Sequence, residues 1–279
     1  MAYLPNNEWL PQAQKLAVGQ SMRVRHNNEA TAAMSIANKG DRWVAYCQRC
    51  HAGGSVTKSH VVLSQVADQA RFMPWPEDAK ALSSWDTWVQ EPLYGFCLTK
   101  GIDLSIMCPD VPVWYSQKQR RLLFGTKKGW LGRATGGQQP KWTGYGYPAP
   151  AYGAQATEPV RSTVIVTEDL LSAMKVRWAI KGTYNATAQA LLGTSLRDTH
   201  AADLLAANVD TLVLFLDGDN AGRDGARLVR RRAAGLGLKV LAAVCPEDFD
   251  PKDLPKQTII DIIGGVLGDS NSASVTESG

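Results

Sequence analysis

No apolar run in this chain approaches the roughly 18 residues that a transmembrane helix requires, which excludes a bilayer-spanning α-helix as a reading of the sequence. The first segment, MAYLPNNEWLPQAQK, has neither a basic leader nor an apolar core, so no secretory signal is expected. The five cysteines are odd in number and scattered; without an export signal they point to a reducing cytoplasm rather than to a disulfide framework. No G-x-x-x-x-G-K-[ST] string occurs, which excludes a fused P-loop motor, and no internal repeat is found. Acidic residues are missing altogether between Asp110 and Glu158. With 279 residues, 30.3 kDa and a net charge of +4, the chain is long enough to bury a proper core and only mildly basic, so the placement of charge carries more information than its sum.

The acids that are present fall in an ordered pattern. Residues 164–166 and 211–216 are short, continuous apolar runs rich in β-branched side chains, which is how parallel strands buried on both faces read. Helical patterns follow each, over residues 170–180 and 221–236. Glu168 ends the first run, and Asp217 and Asp219, separated by Gly218, end the second. Open α/β sheets place their sites outside the C-terminal ends of strands. Hard divalent cations take oxygen ligands, and two aspartates flanking a glycine can turn toward one ion, with Mg²⁺ the natural occupant. A plainer reading makes Glu168 a helix cap and Asp217 and Asp219 parts of an ordinary βα turn. These residues alone leave both open.

The acid-free stretch carries Lys118, Arg120, Arg121, Lys127, Lys128, Arg133 and Lys141, interleaved with Trp114, Tyr115, Trp130, Trp142, Tyr145 and Tyr147. Basic side chains neutralise phosphates and aromatic faces stack on bases, so the stretch reads as a sequence-tolerant track for a single strand. The alternative is a solvated basic face whose aromatics turn inward. Gly129 and Gly136-Gly137 are expected to supply positive-φ turns between short antiparallel strands.

In the N-terminal third, residues 42–46 alternate like a strand and run into Cys47-Gln48-Arg49-Cys50-His51-Ala52-Gly53-Gly54, a C-x-x-C at a hairpin tip followed by glycines, as in zinc knuckles. The string C-x-x-C-H also matches a haem attachment, which the lack of an export signal disfavours. Cys97, Cys108 and Cys245 have no partner pattern and are expected as buried thiols.

Taken together and in this order, the segments resemble DnaG-type DNA primases, most closely the small versions carried by bacteriophages. The Glu168 and Asp217-Gly218-Asp219 pair resembles the motifs of the TOPRIM fold, which primases share with topoisomerases and some nucleases. Leu192-Gly193-Thr194-Ser195-Leu196, Asp217–Arg223 and Asp250-Pro251-Lys252-Asp253-Leu254 are similar to the primase loop, DGDxAGR and EDPDxL elements. Arg121–Phe124, Gly129–Arg133 and Gln139–Trp142 resemble the subdomain that precedes TOPRIM, and His26 followed by Met34-Ser35-Ile36 resembles the primase zinc ribbon. Three departures stand out: Arg23 in place of the first zinc cysteine, Ser172 in place of an Asp, and Lys252 in place of a second acid.

The resemblance implies an α/β fold, in which a TOPRIM domain follows a basic β-rich subdomain and an N-terminal zinc-ribbon-like β unit. The expected parts are a template-recognition ribbon over 1–64 with a helical exit at 59–68, a linker over 65–109 with an elbow at 72–76 and short helices at 79–88 and 91–108, the basic subdomain at 110–157, TOPRIM at 160–264, and a disordered tail at 268–279. It implies synthesis of short RNA primers on a single-stranded DNA template from ribonucleoside triphosphates, with Mg²⁺ or Mn²⁺ held by Asp217, Asp219 and Asp250. Glu168 would be a further ligand or the group that moves the hydroxyl proton. Arg133 and Lys141 would bind template and nucleotide, with Arg121, Lys127, Lys128 and Arg223 as further contacts. Zn²⁺ would sit on His26, Cys47 and Cys50 with His51 or His60 as the fourth ligand, unless the ribbon persists without metal. A replicative helicase or polymerase is the expected partner, in the cytoplasm and away from membranes. The alternative is a degenerate relative that only binds single-stranded DNA or a replication partner.

Overall fold

A computed structural model describes residues 3–27, 31–59, 73–126, 129–145 and 161–272, with side chains to 268. The expected helical exit at 59–68 therefore lies almost wholly outside the described residues, as do Phe72, Lys127, Lys128, Tyr147 and His60. The chain forms two compact units that divide near residue 67.

In the first unit a short helix, α1 (Asn6–Gln14), packs on an antiparallel sheet of β1 (Ser21–Val24), β2 (Met34–Asn38), β3 (Arg42–Cys47) and β4 (Gly53–Thr57), in that order. Strand alternation puts Met34 and Ile36 on the inner face, where they meet Leu4, Trp9 and Ala13, the last two one helical turn apart on α1. The Trp9 ring lies so close to Gly54 that a Cβ there would stand 2.6 Å from it, so only glycine fits. The helix α1 was not foreseen, because its apolar positions are few and Pro11 interrupts it.

The second unit holds two sheets. The first is a meander of β5 (Lys80–Ala81), β6 (Val113–Ser116), β7 (Arg121–Thr126), β8 (Gly129–Ala134) and β9 (Trp142–Tyr145). Side chains alternate across it. Leu122, Phe124 and Leu131 face a core shared with Val89, Leu93 and Cys97 of α2 (Thr87–Leu98), Leu104 of α3 (Leu104–Met107), and Leu170, Leu171 and Met174 of α4 (Leu170–Ile180). The stretch expected as a linker over 65–109 is thus, from residue 73 on, part of this unit's core. Of the helix expected over 79–88, only Thr87 and Trp88 are helical, as the start of α2, preceded by β5 and a 3-10 turn, Leu82–Ser84; the helix expected over 91–108 is interrupted at Gly101, whose φ is +72°. Gly129 takes positive φ as expected, whereas Gly136 and Gly137 do not.

The second sheet is fully parallel, ordered β11 (Ala186–Ala190), β10 (Thr163–Thr167), β12 (Thr211–Leu214), β13 (Lys239–Ala242). Its central strands are buried on both faces, which their continuous apolar runs require. The helices α4, α5 (Asp198–Ala206), α6 (Asn220–Gly235) and α7 (Lys256–Ser272) complete the α/β unit. The helix α7 continues through Ser272, past the point where a disordered tail was expected to begin; residues 273–279 lie outside the described residues. Among the described residues no helix is long and apolar enough to cross a membrane.

Candidate active site

The C-terminal ends of β10 and β12 lie side by side in register, so the residues that follow them meet at one rim. Glu168 follows β10, and its Oε1 accepts from the backbone N–H of Asp217, 3.3 Å away. Two glycines make this approach possible. A Cβ at Gly218 would stand 1.9 Å from the carbonyl oxygen of Pro246, and one at Gly222 would stand 2.1 Å from that of Asp217 and 2.8 Å from Glu168 Oε1. The loop after β11 closes a third side: Leu192 and Gly193 both take positive φ, and Gly193 N–H donates to the Glu168 carbonyl at 3.0 Å. The result is a cleft of about 250 Å³ lined by Lys141, Trp142, Glu168, Asp169, Leu192, Gly193, Asp217 and Asp250.

The carboxylates in the cleft are electrostatically frustrated. Burial, then Glu168 and Asp250, push the Asp217 carboxyl up to about 8. Burial likewise raises Glu168, against the Asp217 N–H and with Asp219, Asp250 and Asp169 adding to the rise. Asp217 Oδ1 is buried with no hydrogen-bond donor among the described residues. An unsatisfied buried carboxylate oxygen among like charges fits a hard divalent cation, for which oxygen donors are the preferred ligands.

Sequence reasoning located these acids unevenly. Asp219 is exposed and accepts from Gly222 N–H at 2.7 Å at the start of α6, so the plain turn reading describes it, and it is outside the cleft lining. At the other strand, Asp169 rather than Glu168 caps the helix, accepting from Ser172 N–H at 2.8 Å. Asp253, beside Lys252, is exposed and accepts from Asp250 N–H at 3.3 Å. Lys252 is the surprise: it is 5% exposed, its ammonium contacts the Asp250 carboxylate, and it lies 3.7 Å from Asp169 Oδ2. Burial works against its charge, but Asp169 and Asp250 outweigh that and raise its pKa.

The basic residues also separate. On β8, Trp130 and Arg133 are three apart and point to opposite faces. Arg133 is buried and faces the core side, 5.2 Å from the Trp142 ring, with Nε and Nη1 lacking acceptors among the described residues; burial lowers its pKa, Asp169 opposing. Lys141 is exposed at the cleft edge. Trp114, Trp130 and Tyr145 instead pack around Trp75 on the far face, with centroid distances of 5.2–6.0 Å. Most of the interleaved aromatics among the described residues therefore follow the inward-turned reading, and of these Trp142 lines the cleft. Arg121, expected at the nucleic-acid track, is buried and braces the sheet, donating to the Pro140 carbonyl at 2.7 Å and the Gly132 carbonyl at 3.4 Å. Arg223 is held locally by the Gly218 carbonyl at 2.7 Å and Asn220 Oδ1 at 2.9 Å.

In the first unit, donor atoms of His26, Cys47 and Cys50 all lie within 4.8 Å of one another. His26 Nδ1 faces Cys50 Sγ at 3.6 Å, while Nε2 meets Glu8 Oε2 at 3.1 Å. Backbone N–H groups of Cys50 and then Arg49 draw the Cys47 thiol down to about 7, burial opposing. One imidazole nitrogen, two thiols with one readily ionised, and a carboxylate on the far ring nitrogen suit Zn²⁺. Of the two expected fourth ligands, His60 lies outside the described residues and His51 does not join them. His51 is exposed and its Nδ1 pairs with the Tyr46 hydroxyl at 3.1 Å, so His51 is corrected out of the cluster. Arg23, on β1, is exposed.

Residues 166–254 match a family model described as Toprim-like. The fold class is therefore a Toprim α/β domain, preceded by the β-rich meander and by an N-terminal unit whose Cys/His cluster resembles a zinc ribbon. No curated protein matches the chain. Among solved structures, it is similar to the zinc-binding and RNA polymerase domains of the Aquifex aeolicus primase (16% identity, 92% of this chain and 82% of that one, TM-score 0.46). It is also similar to the primase fragment of the bacteriophage T7 primase-helicase (15% identity, 87% and 97%, TM-score 0.45) and to the RNA polymerase domain of Mycobacterium tuberculosis primase DnaG (20% identity, 75% and 74%, TM-score 0.41). At these identities and TM-scores the likenesses carry no functional reading by themselves.

Proposed function

We propose that this protein is a small DNA primase that joins ribonucleoside triphosphates into short primers on single-stranded DNA. The observation that carries the reading is the cleft, where Glu168, Asp169, Asp217 and Asp250 line one space together with Lys141 and Trp142. The Toprim-like match of residues 166–254, and the order of thiol cluster, basic meander and acidic sheet, support it.

In the reaction a primer 3′-hydroxyl attacks an α-phosphate and pyrophosphate leaves. Mg²⁺ or Mn²⁺, when bound, supplies the charge that stabilises the phosphoryl oxygens and the leaving group. Asp217, whose Oδ1 is unsatisfied, would hold the ion, with Asp250 and Asp219 as further oxygen donors. Glu168, made more basic by burial, accepts the hydroxyl proton, and its backbone is fixed by Gly193. Lys141 at the cleft edge binds phosphates, while Arg133 supports Trp142 as a stacking platform for a base. The thiol cluster of His26, Cys47 and Cys50 would hold Zn²⁺, and the ribbon around it would read the template. We place the protein in the cytoplasm, working with a replicative helicase or polymerase.

Incorporation of labelled ribonucleotides on single-stranded templates with Mg²⁺ or Mn²⁺ tests the proposal. Primers should appear with the intact chain and vanish with Asp217→Asn. A second reading, a degenerate relative that only binds DNA, is favoured by the ammonium of Lys252 against two carboxylates of the acidic cleft. Tight single-strand binding without any incorporation would select it.

A further inference from the structure

Lys252 occupies a position built for it. Its carbonyl oxygen lies against Gly101, where a Cβ would stand only 2.3 Å away and where φ is +72°, so no other residue fits there without strain. Lys175 Nζ donates to the Gly101 carbonyl at 2.9 Å, tying the same loop to α4. The Lys252 side chain is then 5% exposed, and its Nζ contacts Asp250 Oδ2 and stands 3.7 Å from Asp169 Oδ2. A buried ammonium persists only when paired, and here two carboxylates pair it.

Two-ion phosphoryl-transfer sites hold their cations roughly 3.5–4 Å apart. An ammonium bound to Asp250 uses up that oxygen and supplies a fixed positive charge among these acids. We propose that Lys252 is a resident cation behind the carboxylates of the cleft, standing in for one divalent ion, so that the site takes up a single ion seated on Asp217. The inference rests on the metal-dependent nucleotidyl-transfer reading of the same cleft. It also accounts for a lysine where the resemblance leads one to expect an acid: a tethered cation cannot dissociate, and it neutralises the rim before any ion or nucleotide arrives.

The test counts ions without nucleotide or template, so it stands apart from any assay of synthesis. Mn²⁺ is titrated into the full-length protein and followed by calorimetry and by electron paramagnetic resonance, with Asp217→Asn defining the part of the signal that belongs to the cleft. The wild type should bind one cleft Mn²⁺ with an isolated-ion spectrum. Lys252→Asp should bind two, with a spin-coupled spectrum. Lys252→Met, which keeps the buried stem, should bind its first ion at least tenfold more tightly than the wild type, because a neighbouring like charge is gone. Thermal unfolding confirms that each variant is folded, and the Met variant alone is decisive where the Asp variant is not. Two coupled ions in the wild type, unchanged first-ion affinity in Lys252→Met, or no cleft Mn²⁺ in any of the proteins would each overturn the inference. Loss of primer synthesis with these ion counts intact would refute the functional reading and leave the assignment of Lys252 standing.

Discussion

Replacing Asp217 by Asn should stabilise the metal-free protein while abolishing its chemistry. In the fold the Asp217 carboxyl is pushed up to about 8, burial contributing most, then Glu168 and Asp250. In the unfolded chain the same group ionises near 4. Between these values the folded state must either keep a proton the unfolded chain gives up or bear an unfavourable charge, so the residue works against folding at neutral pH. At about 1.4 kcal/mol per pKa unit the full displacement corresponds to ~5–6 kcal/mol. The carboxyl is partly solvated, and screening reduces this to about 2 kcal/mol. For a unit of this size that is a rise in Tm of roughly 4–8 °C. An amide of the same shape removes the charge. The assay is thermal unfolding in chelator at pH 7.5, wild type against Asp217→Asn, repeated with 5–10 mM Mg²⁺ (an order-of-magnitude choice well above ordinary Mg²⁺ affinities). The variant should be more stable in chelator and should lose the wild type's stabilisation by Mg²⁺. A variant that unfolds earlier than the wild type in chelator would refute the reasoning, since Asp217 would then be a structural carboxylate with a favourable partner.

Acid should weaken the fold through His200, which is fully buried beside Arg197 and lowered to about 3, by burial first. Its contribution is complete above about pH 6.5 and is lost as pH falls toward 3, at up to ~1.4 kcal/mol per pH unit, so His200→Gln should flatten Tm against pH between 6.5 and 4; parallel curves for the two proteins would exclude His200 as the cause. Lys141→Ala should lower the log–log salt slope of single-strand binding by roughly 0.7 with Tm unchanged, whereas Arg133→Ala should weaken binding and lower Tm together because Trp142 loses its packing partner. Protein prepared without chelator should carry one zinc per chain; Cys47→Ser should unfold the first unit, and Glu8→Gln should weaken zinc affinity about 10–100-fold by releasing the His26 ring. Zinc content and affinity unaffected by both substitutions would remove the metal from that cluster.

What the sequence made legible was whatever depends on local pattern. The two central strands declared themselves because burial on both faces leaves an unbroken β-branched run, and Glu168 and Asp217 followed from being the residues just past their ends. Cys47 and Cys50 were visible as a spaced pair, and His26 through the resemblance. The misses all concern what a side chain meets. Composition could not say that Arg121 would turn into the sheet, nor that β8 would split Trp130 from Arg133; parity decides both, and parity needs strand boundaries. His51 follows Cys50 directly, but its positive φ sends it to Tyr46 instead. Lys252 read as a lost acid until its ammonium was found against Asp250, and Glu8 drew no attention because its partner, His26, is 18 residues away.

The docking of Trp75 against Trp114, Trp130 and Tyr145 has a practical consequence for anyone dissecting the protein. Indole rings held 5–6 Å apart at steep angles couple their transitions, so this group should dominate the near-ultraviolet circular dichroism and act as a gauge of whether the meander is intact. It also fixes where the chain can be cut. A fragment beginning at residue 110 would strip Leu82, Val89, Leu93 and Leu104 from beneath Leu122 and Phe124, and one beginning at residue 77 would keep those helices but lose the coupled signal along with Trp75. The shortest expressible piece that preserves the acidic cleft begins at or before Met73, whose backbone bridges to Tyr145.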